Sequence, residues 1–492
     1  MTKASYDDVG SGPLHYRDAT SLAAGIAGGH VSSRDVVQAH LDRIAELNPQ
    51  INAIVTLRAE AALREADVAD EAVRRDAEVG PLHGVPFTVK DSLDTAGIPT
   101  QRGTKLFAGF VPDSDATAVA RFKSAGAILI AKTNLPEFSA WTETDNLVTG
   151  RTNNPWNLDR TPGGSSGGEA AALAAGMSPI GIGSDVAISL RGPAALTGVV
   201  ALKATHGRIP YTGHFPTVTS AWWHVGPMAR TVRDVALGYA ILNGPDGKDG
   251  YAVHDEHTAA ATTRVAGQTV RVGWVSDDAF APVDPEVTAA VARAAGQLAD
   301  LGCHVEQVRV PFIEAARPLE TLMTLVNGEL TPYIKRLATD REDQLSSIGV
   351  EILQMSDPTF GDVLAARSRA ESLRSAFAGY FGRFDVLLCP VTPITAPPHA
   401  MATLEVDGVE VPSTHVMDAT SVFNLTGLPA LSVPFGFSSE GLPIGIQLVS
   451  RWFDESTILR LGGLLERRGG LGDRRPGGSQ PDSAEWRVAS TR

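Results

Sequence analysis

The run from Ala170 to Ser184 carries no charged side chain and consists of alanine, glycine and other small or apolar residues, ending in Ile180-Gly181-Ile182-Gly183-Ser184. Such a stretch has no polar face to turn toward water, so it is stable only when covered on all sides. It reads as a buried helix passing into a buried strand, and it commits the chain to a fold with a closed centre. Around it, helical and strand patterns alternate. Residues 33–76 have a helical character, with Ser32 and Asp35 at capping-box spacing and Val36, Val37, His40, Leu41 and Ile44 near a helical period; an alanine-rich second helix follows at about 59–75. Gly80 to Asp91 is a turn leading into a short apolar strand that ends at Lys90. Residues 116–125 predict a helix, Ala127 to Ala131 a buried strand and Val270 to Val275 another. Residues 310–385 are mostly helical in pattern and 386–449 return to strands and turns. Alternation of this kind points to an α/β sheet.

A length of 492 residues suggests two or three domains by typical size, although some enzyme folds run longer undivided. A net charge of -14 without a Lys/Arg block argues against nucleic acid or an anionic membrane as the main partner. The cysteines are Cys303 and Cys389, with no Cys-x-x-Cys and no His-rich cluster, so neither a disulfide framework nor a zinc site is indicated. Met1 to Pro13 lacks an apolar core for a signal peptide, and no segment offers about twenty apolar residues for a membrane span. These features predict a cytoplasmic protein without metal or cofactor. The polar stretch at about 245–270 reads as an exposed connection, and the Gly/Arg/Pro/Ser-rich end, 467–492, as disordered.

Three residues carry candidate chemistry: Lys90 in Val-Lys-Asp, Ser165 in Gly-Gly-Ser-Ser-Gly-Gly, and Ser189 in Asp-Val-Ala-Ile-Ser-Leu-Arg. A serine hydroxyl attacks a carbonyl only when a proton acceptor lies within reach. Lysine serves if it is neutral, which requires burial or a neighbouring positive charge. Val85, Pro86, Phe87 and Val89 supply an apolar approach to Lys90. His83, His206, His214 and His224 are alternative bases that this arrangement does not need. Phe215, Trp222, Trp223 and His224 lie in a Pro/Gly-punctuated loop, 206–230, which either lines a pocket or plugs a core.

Several further blocks accompany these residues: Gly84-Val85-Pro86 with Lys90-Asp91, Lys132-Thr133-Asn134 with Pro136-Glu137-Phe138, Asn153-Asn154-Pro155-Trp156-Asn157, Thr161 to Gly168, Asp185 with Ser189 and Arg191, Leu202-Lys203, Gly226 to Ala229, and Asn424 to Pro429. In this order they resemble the amidase signature family of serine hydrolases over about residues 20–465. The resemblance implies a central mixed, twisted β-sheet covered on both faces by α-helices, built as a single domain over 21–466. An N-terminal segment would occupy 1–20, and a mostly helical, pocket-covering insertion about 310–385. It implies a Ser-cisSer-Lys triad with Ser189 as nucleophile, Ser165 as the bridge and Lys90 as base. Backbone N–H groups of Val186, Ala187, Ile188 and Ser189 would hold the oxyanion, with Ser166, Asp185 and Arg191 supporting them. The implied activity is hydrolysis of a C–N bond in a small-molecule amide, by a monomer or homodimer.

The sequence departs from the family where a pair of glycines usually precedes the nucleophile: here Ala187-Ile188 stands. A β-branched residue at a glycine position changes the loop or the acyl pocket, which suggests a urethanase-like subgroup that also cleaves carbamates. Two alternatives share the fold, a binding protein that has lost catalysis and a glutamyl-tRNA amidotransferase-like subunit. An α/β-hydrolase is set aside because Arg160-Thr161-Pro162, before Gly163-Gly164-Ser165-Ser166-Gly167, is a poor strand.

Overall fold

The computed structural model describes residues 12–218, 221–253, 269–275, 279–472 and 474–477. Thirteen strands are named in chain order: β1 Ile54–Leu57, β2 Pro86–Lys90, β3 Ile128–Thr133, β4 Ile180–Asp185, β5 Val200–Lys203, β6 His224–Ala229, β7 Arg271–Trp274, β8 His304–Gln307, β9 Val386–Pro390, β10 Thr403–Val406, β11 Val409–Pro412, β12 Ala430–Phe437 and β13 Pro443–Ser450. Eleven of them form one mixed sheet in the order β1-β3-β2-β4-β6-β5-β12-β13-β9-β7-β8, while β10 and β11 form a separate hairpin. Helices flank the sheet, so the α/β architecture is that of the resemblance.

The part of the sheet that matters most is the parallel trio β3-β2-β4. Parallel strands need both faces covered, and every residue of these three is buried. The charge-free segment supplies one cover, as the helix Gly167–Ala174 that leads into β4. Glycine starts this helix for a steric reason: a Cβ at Gly168 would lie 2.5 Å from the backbone N and O of Asn134. Because the strands run in parallel, Lys90 at the end of β2 and Ser184 and Asp185 at the end of β4 emerge at one edge of the sheet. That edge is where open α/β sheets place their ligands.

Several elements differ from expectation. Strand β1 interrupts the helical stretch 33–76, between the helices Ser33–Ile51 and Ala59–Arg74. Asn52 in left-handed geometry ends the first of these and turns the chain into the strand. The aromatic loop closes into β6, where His224 pairs with Asp185 across β4. A helix, Asp418–Thr426, lies within the stretch read as strands and turns. The segment 1–20 is no separate unit where it is described: Asp18 caps a helix Ala19–Ala27, whose first N–H groups donate to Asp234. At the other end the helix Glu455–Gly469 runs past residue 466, and Arg474 lies 4.5 Å above the Phe437 ring, so 467–477 is not a free tail where it is described. Residue 473 and residues 478–492 lie outside the described residues, as does most of the connection at 245–270.

The helices Pro311–Ala316, Pro318–Ala338, Ser347–Gln354 and Phe360–Arg383 fill the expected helical region. They pack on the helix Asp418–Thr426 through Phe377 and Phe423, whose ring centroids are 6.0 Å apart, and both rings are fully buried. Replacing Phe423 with Ala empties this junction. Large-to-small changes at such sites cost about 3–5 kcal/mol, so the expected outcome is a clear fall in melting temperature, read by calorimetry on the whole protein.

Candidate active site

Lys90 is fully buried at the end of β2. Its Nζ is 2.6 Å from Ser165 Oγ and 3.0 Å from Ser184 Oγ. Both neighbours are neutral hydroxyls. The next lysine in the sheet, Lys132, is different, because Asp91 sits 3.1 Å from its Nζ. Burial without a counter-ion disfavours an ammonium. It draws Lys90 down to about 7, against the carboxylates of Asp185 and Glu169, which act to raise it.

Ser165 follows a cis peptide bond from Gly164. Ser166 ties this run to the loop after β4. Its N–H donates to the Ser189 carbonyl at 3.2 Å, its hydroxyl donates to the Ser184 carbonyl at 3.2 Å, and Ser184 N–H donates back to Ser166 Oγ at 3.3 Å. Ser189 is 4 % exposed, beside the fully buried Ser165, and no hydrogen bond within 3.5 Å joins their hydroxyls here. Lys90, Ser165, Ser166 and Ser189 are therefore brought together, with the Lys90–Ser165 contact made.

The loop carrying Ser189 is pinned by Asp185 and Arg191, both fully buried. Arg191 donates from Nε and Nη2 to the two carboxylate oxygens of Asp185, each at 3.0 Å, and from Nη2 to the Ala187 carbonyl at 3.2 Å. Its Nη1 donates to the Thr420 carbonyl at 2.9 Å and to Gln447 Oε1 at 3.0 Å. Asn424 donates to Asp185 Oδ1 at 2.9 Å, and Leu190 N–H donates to Oδ2 at 3.0 Å. Burial acts to raise the Asp185 pKa, but Arg191 and these donors hold the carboxylate below its ordinary range. A fork of this kind fixes a loop from both ends.

The backbone N–H groups of Val186, Ala187, Ile188 and Ser189 have no protein acceptor among the described residues. Neither Ala187 nor Ile188 adopts positive φ. The loop therefore takes a β-branched residue without backbone strain, and the space for it comes from a neighbour: a Cβ on Gly192 would lie 2.4 Å from Ile188 Cγ1. The Ile188 side chain joins Leu404, Val406 and Val416 in a small apolar cluster under the β10–β11 hairpin.

A narrow cavity reaches this point, bounded by the Gly163–Gly164 backbone and lined by apolar side chains that include Trp141, Ile188, Leu196, Pro397, Met401 and Val416. Its one charged lining residue, Glu143, is already bonded to His399 Nδ1 at 2.7 Å and to the Ala400 N–H at 2.8 Å. Its lining comes from 141–143, 161–164, 188–196 and 397–416, and it reaches the neighbours of Ser165 and Ser189, Gly164 and Ile188. Trp222 and Trp223 are buried in the core, plugging it. His214 bonds to Ser92 and Tyr211, and His224 to the Trp222 carbonyl, with burial pushing both rings well below the usual range. His83 bonds to the Ala69 carbonyl, and His206 sits edge-on to His224. Among the described residues no group of three His, Cys, Asp or Glu side chains is placed to hold a metal ion, and no helix is long and apolar enough to cross a membrane.

Sequence reasoning missed Ser184 and Glu169. Ser184 is recognisable only once β4 lies beside β2, and Glu169 reads in sequence as an ordinary acidic residue in a first helical turn.

The Amidase family model matches residues 35–459 of the chain. A glutamyl-tRNA(Gln) amidotransferase subunit from Acidothermus cellulolyticus is 36% identical over 482 residues, covering 92% of this chain and 94% of that protein. Among solved structures, 6-aminohexanoate cyclic dimer hydrolase superposes with a TM-score of 0.85 at 30% identity, over 94% of this chain and 99% of its own. A bacterial aryl acylamidase of the amidase signature enzymes gives a TM-score of 0.82 at 26% identity, over 93% and 97%.

The packing of Ile188 over Gly192 is open to a double-substitution test. Gly192→Ala alone should destabilise the protein by about 1–3 kcal/mol, the usual cost of overpacking. In an Ile188→Ala background the same change should cost little, read as the difference between the two melting-temperature shifts.

Proposed function

The chain belongs to the Amidase family of enzymes that hydrolyse C–N bonds, and we propose that it acts on neutral amides with an apolar acyl side, aryl amides and carbamates (urethanes) included, through an acyl-enzyme on Ser189. The observation that carries this reading is the buried Lys90–Ser165 contact of 2.6 Å, with a nearly buried Ser189 and a mostly apolar cavity lined by Gly164 and Ile188, the residues before the two serines.

In this reading neutral Lys90 takes the proton of Ser165 as Ser165 takes that of Ser189. The Ser189 oxygen forms a bond to the substrate carbonyl carbon, and the carbonyl electron pair moves onto oxygen. The N–H groups of Val186 to Ser189 are the donors for that oxyanion, an arrangement worth several kcal/mol where water is excluded. The C–N bond then breaks, and Ser165 delivers its proton to the leaving nitrogen while recovering one from Lys90. Water gives a proton to the same relay and attacks the acyl carbon; the bond from that carbon to the Ser189 oxygen then breaks, Ser189 recovers its proton through Ser165, and the acid leaves. Ser166 and the Asp185–Arg191 pair hold the loop and do not touch the reacting atoms.

A second reading, that of an amidotransferase subunit, is favoured by the likeness to the Acidothermus protein. The cavity supports the first. A free amino-acid amide would need charged partners for its ammonium and carboxylate groups, and Glu143, the charged lining residue, is engaged by His399 and Ala400. Co-purification with further subunits, together with glutamine-dependent ammonia release, would favour the second reading.

A panel of aryl amides, fatty amides, esters and carbamates tests the assignment. Ser189→Ala should abolish turnover, and Lys90→Ala should lower kcat by about 10²–10⁴. Retention of full turnover in Ser189→Ala would refute the mechanism. The pH dependence follows from Lys90: the amine is charged below about 7 and neutral above it, so kcat/KM should rise with pH through about 7. A flat profile from about pH 5 to 8 would contradict a neutral lysine base.

A further inference from the structure

Glu169 lies in the first turn of the helix Gly167–Ala174, just after the Ser165–Ser166 run, and is fully buried. Its carboxyl group reaches across two strands. Thr88 donates its hydroxyl to Oε1, and Thr133 donates to Oε2 at 2.9 Å. Thr88 and Lys90 are two residues apart on β2 and share a face, while Thr133 is the register partner of Lys90 on β3. Gly181, beside Thr88 on β4, clears the remaining side, because a Cβ there would lie 1.7 Å from Glu169 Oε1. Four elements thus form a socket for one carboxyl group. Its side-chain donors are hydroxyls, and among the described residues no cation lies within ion-pair distance of it.

A buried acid near a buried amine has two net-neutral forms, an ion pair or two uncharged groups. Direct contact and strong donors favour the ion pair, whereas low dielectric without them favours the uncharged form. Lys90 bonds to Ser165 and Ser184 instead of Glu169. Threonine hydroxyls can also turn from donating to a carboxylate to accepting from a carboxylic acid. A socket built from arginine would have fixed the carboxylate.

We propose that Glu169 is a positioning residue for the reaction: by remaining a neutral acid it leaves Lys90 as the neutral amine, and the two groups exchange protons with solvent as one unit. The proposal rests on the reading of Lys90 as base. The order of the two titrations agrees with it. Burial pushes Glu169 up to about 8, against Thr88, Thr133 and Lys90, while burial brings Lys90 to about 7. The other charged and titratable groups around the pair have their states set elsewhere. Asp185 is held as carboxylate by Arg191, His214 is kept neutral by burial, and Asp91 and Lys132 pair with each other.

The test is the pH dependence of the rate at which a fluorophosphonate inactivates the enzyme. Glu169→Gln keeps the size and hydrogen-bonding capacity of the side chain and cannot ionise. Because glutamine copies the neutral acid, the acid limb should stay within about 0.3 unit of its wild-type position, and the wild type at neutral pH should show a carboxylic-acid C=O stretch that the variant lacks. Thr133→Val, which removes a donor that would favour the carboxylate, should likewise leave the limb in place and the acid band present, and carries the test if the first variant fails to fold. A limb moved to lower pH by about half a unit or more in a folded Glu169→Gln, or no carboxylic-acid band in the wild type, would show an ionised Glu169 and would overturn this proposal alone. A wild-type enzyme without a limb near 7, or a Lys90→Ala variant inactivated as fast as wild type, would overturn the base reading and this proposal with it.

Discussion

The structure turns on one amine held out of water without a counter-ion. Lys90 ends a strand whose neighbours on both sides are buried, and its contacts are two serine hydroxyls. The surroundings serve to keep that amine dry and unpaired. The parallel trio β3-β2-β4 covers it laterally, and the helix Gly167–Ala174 covers one face. The glycines that begin this helix let its backbone press against Asn134. Lys132, one strand away and equally buried, has been given Asp91. The contrast separates a lysine paired with a carboxylate from one that contacts hydroxyls, the lysine proposed as base.

The second constraint is the Asp185–Arg191 fork. An ion pair removed from water is a weak source of stability, and here its geometry explains its presence. The guanidinium spans from the end of β4 to Thr420, Asn424 and Gln447, which lie on distant parts of the chain. It thereby fixes the loop between β4 and the following helix relative to the far half of the sheet. Ser189 sits on that loop, and in the proposed reaction its N–H neighbours need fixed directions to hold an oxyanion. Ile188 then decides what lies above the loop, because its side chain joins the apolar underside of the β10–β11 hairpin.

Much of this was legible in the sequence, and the exceptions have physical causes. Lys90, Ser165 and Ser189 stood out through their chemistry and the blocks around them. Strand β1 was hidden because four residues between two long helical periods leave no room for an alternating pattern. The helix Asp418–Thr426 is buried on nearly every side and rich in β-branched residues, so it has no amphipathic signature. Strand β6 carries Gly226 and Pro227, which punctuate a sequence as turns do. Ser184 and Glu169 depend on strand register, since each reaches its partners only when β2, β3 and β4 are laid side by side. Ile188 departs from the family pattern in sequence, but the compensation at Gly192 is visible only in three dimensions. The helices of 310–385 dock on Phe423, while the cavity beside Ile188 is lined from 397–416.

In the proposed reaction Ser189, and no other hydroxyl in the cluster, becomes the nucleophile. Treating the folded protein with a fluorophosphonate and mapping the adduct by peptide mass spectrometry tests it most directly, because Ser165, Ser166, Ser184 and Ser189 are all close enough to compete. One adduct per chain is expected, on Ser189 and absent from Ser189→Ala. An adduct on Ser165 or Ser166, or none in a folded sample, would contradict it.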